Sequence, residues 1–168
     1  MNNIFVITGP AGVGKSTISL KIAESLDKSV LIEGDEIYNL VKGGYISPWL
    51  QNNHLPLFWE NCLALILNAL QNGYDVVFNY IIKKKDIKNI KDKFPNAKIK
   101  FIVLLVDEKT IVERDKLRPL DCQMGERSLI LLKNMKNENF EKNNILDTSN
   151  ISIEETFTEI VNNERFLI

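Results

Sequence analysis

The segment Gly9-Pro10-Ala11-Gly12-Val13-Gly14-Lys15-Ser16 restricts what this chain can fold into more than any other. Its pattern, G-x-x-x-x-G-K-[ST], belongs to a loop that wraps a polyphosphate. The glycines let the backbone curl so that successive N–H groups point inward. Lys15 reaches the outer phosphates, and the Ser16 hydroxyl is a ligand for Mg²⁺. Such a loop needs a strand before it and a helix behind it, with the positive helix end facing the anion. Both are written here. Ile4-Phe5-Val6-Ile7 reads as a buried strand, and Ile18, Ile22 and Leu26 mark one face of a helix. Gly9, Ala11, Gly12, Val13, Gly14, Lys15, Ser16 and Thr17 are therefore the expected nucleotide contacts. A dinucleotide-binding loop fits worse, because the glycines run G-x-x-G-x-G and a Lys-Ser pair follows.

Strand and helix patterns alternate along the rest of the chain, which implies a parallel sheet with helices on both faces. Further strands are expected at Val30–Glu33, Asp75–Asn79, Ile99–Val106 and Ile145–Asp147. The fourth of the five reads as continuously apolar, the mark of a central strand. Helices are expected over 15–26, 35–41, from Pro56 to Gly73, and over 83–94, 108–116 and 126–140. Ser152 to Glu155 forms a capping box that opens the last one. Residues 56–70 are apolar nearly all round and read as largely buried. In such an open, doubly wound sheet, ligands bind beyond the carboxyl ends of the strands. That rule selects the phosphate loop, Glu33-Gly34-Asp35, Asn79-Tyr80, Asp107 and Thr148-Ser149.

At 168 residues the chain makes one domain, 1–168, with a substantial core. The net charge of -1 disfavours nucleic acid and anionic membranes as partners. Cys62 and Cys122 have no metal-ligand spacing and read as reduced thiols of a cytoplasmic protein. No signal-type segment and no bilayer-length apolar run is present, so no membrane partner is expected.

Three groups of residues carry chemistry. Glu33 and Asp35 stand at the end of the second strand. Phosphoryl transfer to an alcohol needs one carboxylate for Mg²⁺ or its waters and one to deprotonate the hydroxyl. Asp35 suits the base and Glu33 the metal shell; the alternative is that Asp35 only caps a helix. The second group is arginine. The chain has four, and Arg114, Arg118 and Arg127 fall in one short stretch, whereas Lys supplies positive charge elsewhere. Arg is the residue that grips phosphate with a planar fork. Arg114 and Arg118 share a helix face, and residues 117–126 read as a short lid that closes over nucleotide. Ion pairing with Glu113, Asp115 or Glu126 is the competing reading. The third group lies in residues 36–60, the expected acceptor-binding region. It is aromatic, with Tyr38, Tyr45, Trp49, Phe58 and Trp59, and holds one cation, Lys42. Tyr45, Trp49 and Asn79 join Asp35 as candidate acceptor contacts. A region so poor in cations predicts a neutral or cationic acceptor. His54 reads as a helix-start residue.

With these elements in hand, the chain resembles the small P-loop kinases of metabolites and antibiotics, such as shikimate kinase, gluconate kinase and chloramphenicol phosphotransferase. The resemblance rests on Gly9 to Ser16, on Glu33-Gly34-Asp35, on the helix from Arg114 to Arg118 with its lid, on Gln123-Met124-Gly125-Glu126-Arg127, and on Asp147-Thr148-Ser149. It implies a three-layer P-loop NTPase fold with strand order 2-3-1-4-5, ATP with Mg²⁺, and an aspartate base at Asp35. It also implies lid roles for Arg118 and Arg114 and an adenine site near Thr148. The arginines that hold shikimate's carboxylate, and the glycine run after the third strand, have no counterpart here.

The expected activity is transfer of the ATP γ-phosphate to a hydroxyl of a small antibiotic-like or sugar-like molecule, by a monomer or homodimer. The alternative is a regulatory ATPase without an acceptor. A guanine-nucleotide switch is disfavoured, because no Asn-Lys-x-Asp element occurs.

Overall fold

Five parallel strands form one sheet in the order β2-β3-β1-β4-β5, with helices on both faces. The computed structural model describes residues 2–168. The strands are β1 (Asn3–Thr8), β2 (Ser29–Glu33), β3 (Asp75–Asn79), β4 (Lys98–Leu105) and β5 (Ile145–Asp147). The helices are α1 (Lys15–Ser25), α2 (Gly34–Tyr38), α3 (Leu55–Gln71), α4 (Lys84–Lys93), α5 (Glu108–Lys116), α6 (Glu126–Asn137) and α7 (Ile153–Asn162). The strand order is the one the family resemblance implied.

Register decides what meets at the ligand edge. Glu33 pairs level with Asn79, and Asn79 level with Ile7. The acidic end of β2 is thereby brought beside the start of the phosphate loop. On the other flank Thr8 is level with Val103, and Leu105 with Asp147. The core fills both faces of these strands: Ile4, Val6, Ile7, Val76, Val77, Phe78, Ile102 and Val103 are completely buried.

Three expectations need correction. First, β4 is not apolar throughout. Lys100 lies buried within it, and its Nζ donates to the carbonyls of Ile160 (2.9 Å) and Val161 (2.6 Å). A buried ammonium is tolerated because it satisfies orphan carbonyls at the end of α7. Burial holds its pKa below the ordinary lysine value. Second, α3 buries one stripe only. Phe58, Cys62, Ile66 and Ala69 face inward, whereas Leu57, Leu65 and Leu67 are exposed. It packs on β2, β3 and α2, on one side of itself, so its other side has nothing to cover it. Third, α2 and α6 are shorter than expected. Asn139 takes a left-handed φ of 52°, which turns the chain before Phe140 can continue α6.

Candidate active site

The phosphate loop owes its shape to glycines at two demanding positions. Gly9 has φ 151°, and a Cβ there would lie 2.5 Å from the Leu104 carbonyl oxygen and 2.9 Å from Val13 Cγ1. Gly14 caps α1 in the left-handed region at φ 105°. Lys15 Nζ donates to the carbonyls of Gly9 and Pro10, each at 3.0 Å, so the ammonium folds back over the loop. Burial pushes its pKa down to about 8, partly offset by the negative charge of Asp35; Arg118 lowers it further and Glu33 raises it. Asp35, Arg118 and Glu33 thus each stand close enough to Lys15 for their charges to act on it.

Around this centre the residues separate by depth. Asp35 is exposed in the first turn of α2, and Glu33 is half-buried. Asn79 is 4 % exposed and donates from Nδ2 to Glu33 Oε1 at 3.4 Å. It therefore lies beside the acidic end of β2 and orients Glu33. Tyr80 was among the strand-end residues but was not singled out, and the structure gives it a larger part. Its ring packs so closely on Gly34 that a Cβ there would come within 2.5 Å of Cδ2. Burial first, then the charge of Asp35, keeps its phenol protonated far above the usual range. The only signal in the sequence was its position just past β3.

Ser16 and Glu33 line a common cleft of about 510 Å³ with Thr17 and Lys21. A hydroxyl and a carboxylate are hard oxygen donors. They suit Mg²⁺, which keeps most of its waters and takes few protein ligands. No cluster of three His, Cys, Asp or Glu that could cage a metal occurs among the described residues.

The opposite flank is framed by Arg114. It donates to the carbonyls of Val13 (2.8 Å) and Thr148 (2.9 Å) and to Thr148 Oγ1 (3.4 Å). It ties the phosphate loop to the segment after β5. Thr148 itself is buried and donates from its amide to the Leu105 carbonyl at 2.8 Å. Val13, Gly14, Thr17, Arg114, Thr148 and Ile151 border a cleft of about 370 Å³. With both ends of its guanidinium engaged, Arg114 serves the frame of this cleft, and Arg118 is the arginine left beside Lys15.

The segment expected to form a lid, residues 117–126, is pinned by one carboxylate. Asp115, 4 % exposed, accepts from the amides of Met124 (3.0 Å) and Gly125 (2.8 Å) and from Arg118 Nη1 (3.4 Å). Burial alone would raise its pKa, but these donors outweigh burial and hold the carboxyl below the usual range. Gln123 Nε2 adds bonds to the carbonyls of Lys116 (3.2 Å) and Arg118 (2.9 Å). The competing ion-pair reading of Arg118 is therefore present in the structure, alongside its influence on Lys15. Between these anchors Leu117 and Leu120 stand 86 % and 87 % exposed.

The loop of residues 43–53, the expected acceptor side, is held by Tyr38. Its hydroxyl donates to the Ile46 carbonyl at 2.7 Å and accepts from the His54 amide at 3.2 Å. Tyr45 meets Tyr38 edge-on, with ring centroids 5.8 Å apart. His54 caps α3 and its Nε2 lies 3.0 Å from the Gly44 carbonyl, a structural place. Trp59 packs edge-on against Phe58, Phe78 and Tyr80 as part of the core wall. Trp49 carries the Arg127 guanidinium, whose carbon lies 3.6 Å from the ring centroid. The region is short of cations along the chain, but folding brings Arg127 to it.

No protein-family model matches the chain, and no curated protein is similar to it in sequence. Solved structures are similar in fold. A tunicamycin resistance protein from Deinococcus radiodurans superposes with a TM-score of 0.68 at 18% identity, over 96% of this chain and 95% of that one. A gluconokinase from Sinorhizobium meliloti gives 0.66 at 21% identity, over 95% and 90%. A sugar kinase from Janibacter gives 0.70 at 17% identity, over 96% of each chain. The fold is shared with these three structures over nearly the whole chain. No helix among the described residues is long and apolar enough to cross a membrane.

Proposed function

We propose that this chain is an ATP-dependent phosphotransferase that moves the γ-phosphate to a hydroxyl of a small molecule. The observation that carries the reading is the convergence of Lys15, Asp35, Glu33 and Arg118 at the mouth of the phosphate loop. The fold likeness to a gluconokinase, a sugar kinase and a tunicamycin resistance protein supports a small acceptor.

In this reading the loop amides and Lys15 hold the β- and γ-phosphates, and the cleft between Arg114 and Thr148 takes the base. Ser16 and Glu33 would hold Mg²⁺, which would supply charge neutralisation for the transferred group. Asp35 accepts the proton of the acceptor hydroxyl. The acceptor oxygen bonds to the γ-phosphorus as the bond to the β,γ-bridging oxygen breaks, and ADP leaves with that electron pair. Arg118 offsets charge on the phosphoryl oxygens once the lid closes. Asn79 acts through Glu33, and Tyr80 through the Gly34 turn, as positioning residues.

The test is an acceptor screen with purified protein, Mg²⁺ and ATP, reading ADP release. The expected result is release that depends on one hydroxylated class. Asp35→Asn is expected to lower kcat about 10²- to 10⁴-fold with ATP affinity nearly unchanged. Turnover retained in that variant would remove Asp35 as the base. Hydrolysis equally fast with and without every acceptor would favour a regulatory ATPase.

A further inference from the structure

Arg127 has no account in the roles above. Of the four arginines, Arg118 and Arg165 are ion-paired, to Asp115 and Glu159, and Arg114 is bonded to two carbonyls. Arg127 sits in the first turn of α6, just past the lid. Its guanidinium sits over Trp49, with its carbon 3.6 Å from the ring centroid. Its Nε is enclosed and has no hydrogen-bond partner among the described residues.

Stability does not explain this placement. Trp49 is 59 % exposed, and a cation–π contact on an exposed ring contributes little. An enclosed N–H without an acceptor costs more than such a contact contributes. What the stack does accomplish is orientation. It fixes the plane of a five-donor fork, and Arg on an aromatic face presents its edge for paired bonds to an oxyanion. The tryptophan belongs to the loop that Tyr38 fastens on the acceptor side, and α6 follows the lid. The fork is therefore held between residues 43–53 and the start of α6.

We propose that Arg127, oriented by Trp49, receives a carboxylate or phosphate of the acceptor, so that the substrate class is anionic hydroxyl compounds. The inference deepens the kinase reading and rests on it. Lid closure, in this account, brings an acceptor oxyanion to the fork and supplies the missing partner of Nε.

The experiment uses matched compounds on the glucose, galactose and mannose skeletons: the aldose, the 2-amino aldose, the aldonate, the uronate and the aldose 6-phosphate. Wild type is expected to favour an anionic member, and the aldonate, uronate and 6-phosphate arms separate carboxylate from phosphate. Arg127→Gln is expected to raise the KM of that anion about 10- to 100-fold, the scale of a lost charge-assisted pair, with little change in the KM of ATP. Arg127→Lys is expected to fall between the two. A neutral or amino compound turned over as well as its anionic partner overturns the proposal, as does an anion whose KM ignores Arg127→Gln. A second readout needs no turnover. In a Trp59→Phe background with Mg·ADP present, Trp49 emission is titrated with the same compounds. A saturable change with anions alone, lost in Arg127→Gln, supports the proposal; no change with any anion overturns it. Failure of the kinase reading looks different: no ADP release with any compound, while the Trp49 emission still reports whether an anion binds.

Discussion

Raising the pH perturbs this site at one defined atom. Lys15 Nζ has a pKa of about 8 in the free protein, because burial disfavours the ammonium more than Asp35 and Glu33 favour it. A polyphosphate in the loop stabilises the ammonium, so the pKa rises on binding and a proton is taken up. Below about pH 8 the free protein already carries that proton and affinity is flat. Above it, binding must charge Lys15 first, and affinity falls as pH rises. Between pH 7 and pH 9 the neutral fraction of free Lys15 goes from about one tenth to about nine tenths. Mg·ATP binding is then expected to weaken about tenfold, close to 1.4 kcal/mol. Calorimetry in buffers of different ionisation enthalpy reads the proton count directly. Near 0.1 proton is expected at pH 7 and near 0.9 at pH 9. Lys15→Arg keeps the charge at all these values and is expected to flatten both curves. Affinity unchanged from pH 7 to pH 9 in the wild type, with no proton uptake at pH 9, would refute the reasoning.

Two further outcomes follow from packing. Gly9→Ala sets a Cβ 2.5 Å from the Leu104 carbonyl oxygen at φ 151°, a strain of about 2–4 kcal/mol that lowers the thermal midpoint by about 5–15 °C; Gly43→Ala, with nothing within 4 Å of its Cβ, is the control and is expected to leave the midpoint in place. Asp115→Ala strips the acceptor from the Met124 and Gly125 amides, at about 1 kcal/mol for each bond lost because solvent reaches them, and hydrogen exchange at those two amides is expected to accelerate before the β1 amides change. Unchanged exchange at Met124 and Gly125 would show that Gln123 holds the lid without Asp115.

Much of the fold was legible because its causes are local. Val76 to Phe78 and Ile99 to Leu105 read as strands from composition and length, and the structure places strands there. The capping box at Ser152 forms as written, with Glu155 Oε2 accepting from the Ser152 amide at 2.7 Å. Lys100 shows where such reading stops. It looked like part of an apolar run because nothing near it in sequence announces the α7 carbonyls it serves. The exposed side of α3 was hidden for the same reason: apolarity says what a helix could bury, and only its neighbours decide how much of it they cover.

The candidate site divides along the same line. The phosphate loop is one continuous segment, so its chemistry and its backbone demands are printed in consecutive residues, from Gly9 to Ser16. Glu33 and Asp35 were legible because parallel strands of an open sheet deliver their carboxyl ends to one edge. Asp115 read as an ordinary neighbour of Arg118 on a helix; its grip on the lid exists only once residues 123–125 fold back on it. Arg127 and Trp49 are distant in sequence, and no periodicity relates them. Short-range sterics and hydrogen-bond geometry act between residues close along the chain, so the amino-acid order by itself specified the loop, the strands and their common edge. Which cation faces which aromatic ring, and which carboxylate fastens which loop, depends on how separate segments come to rest against one another, and that was settled only when the whole core closed.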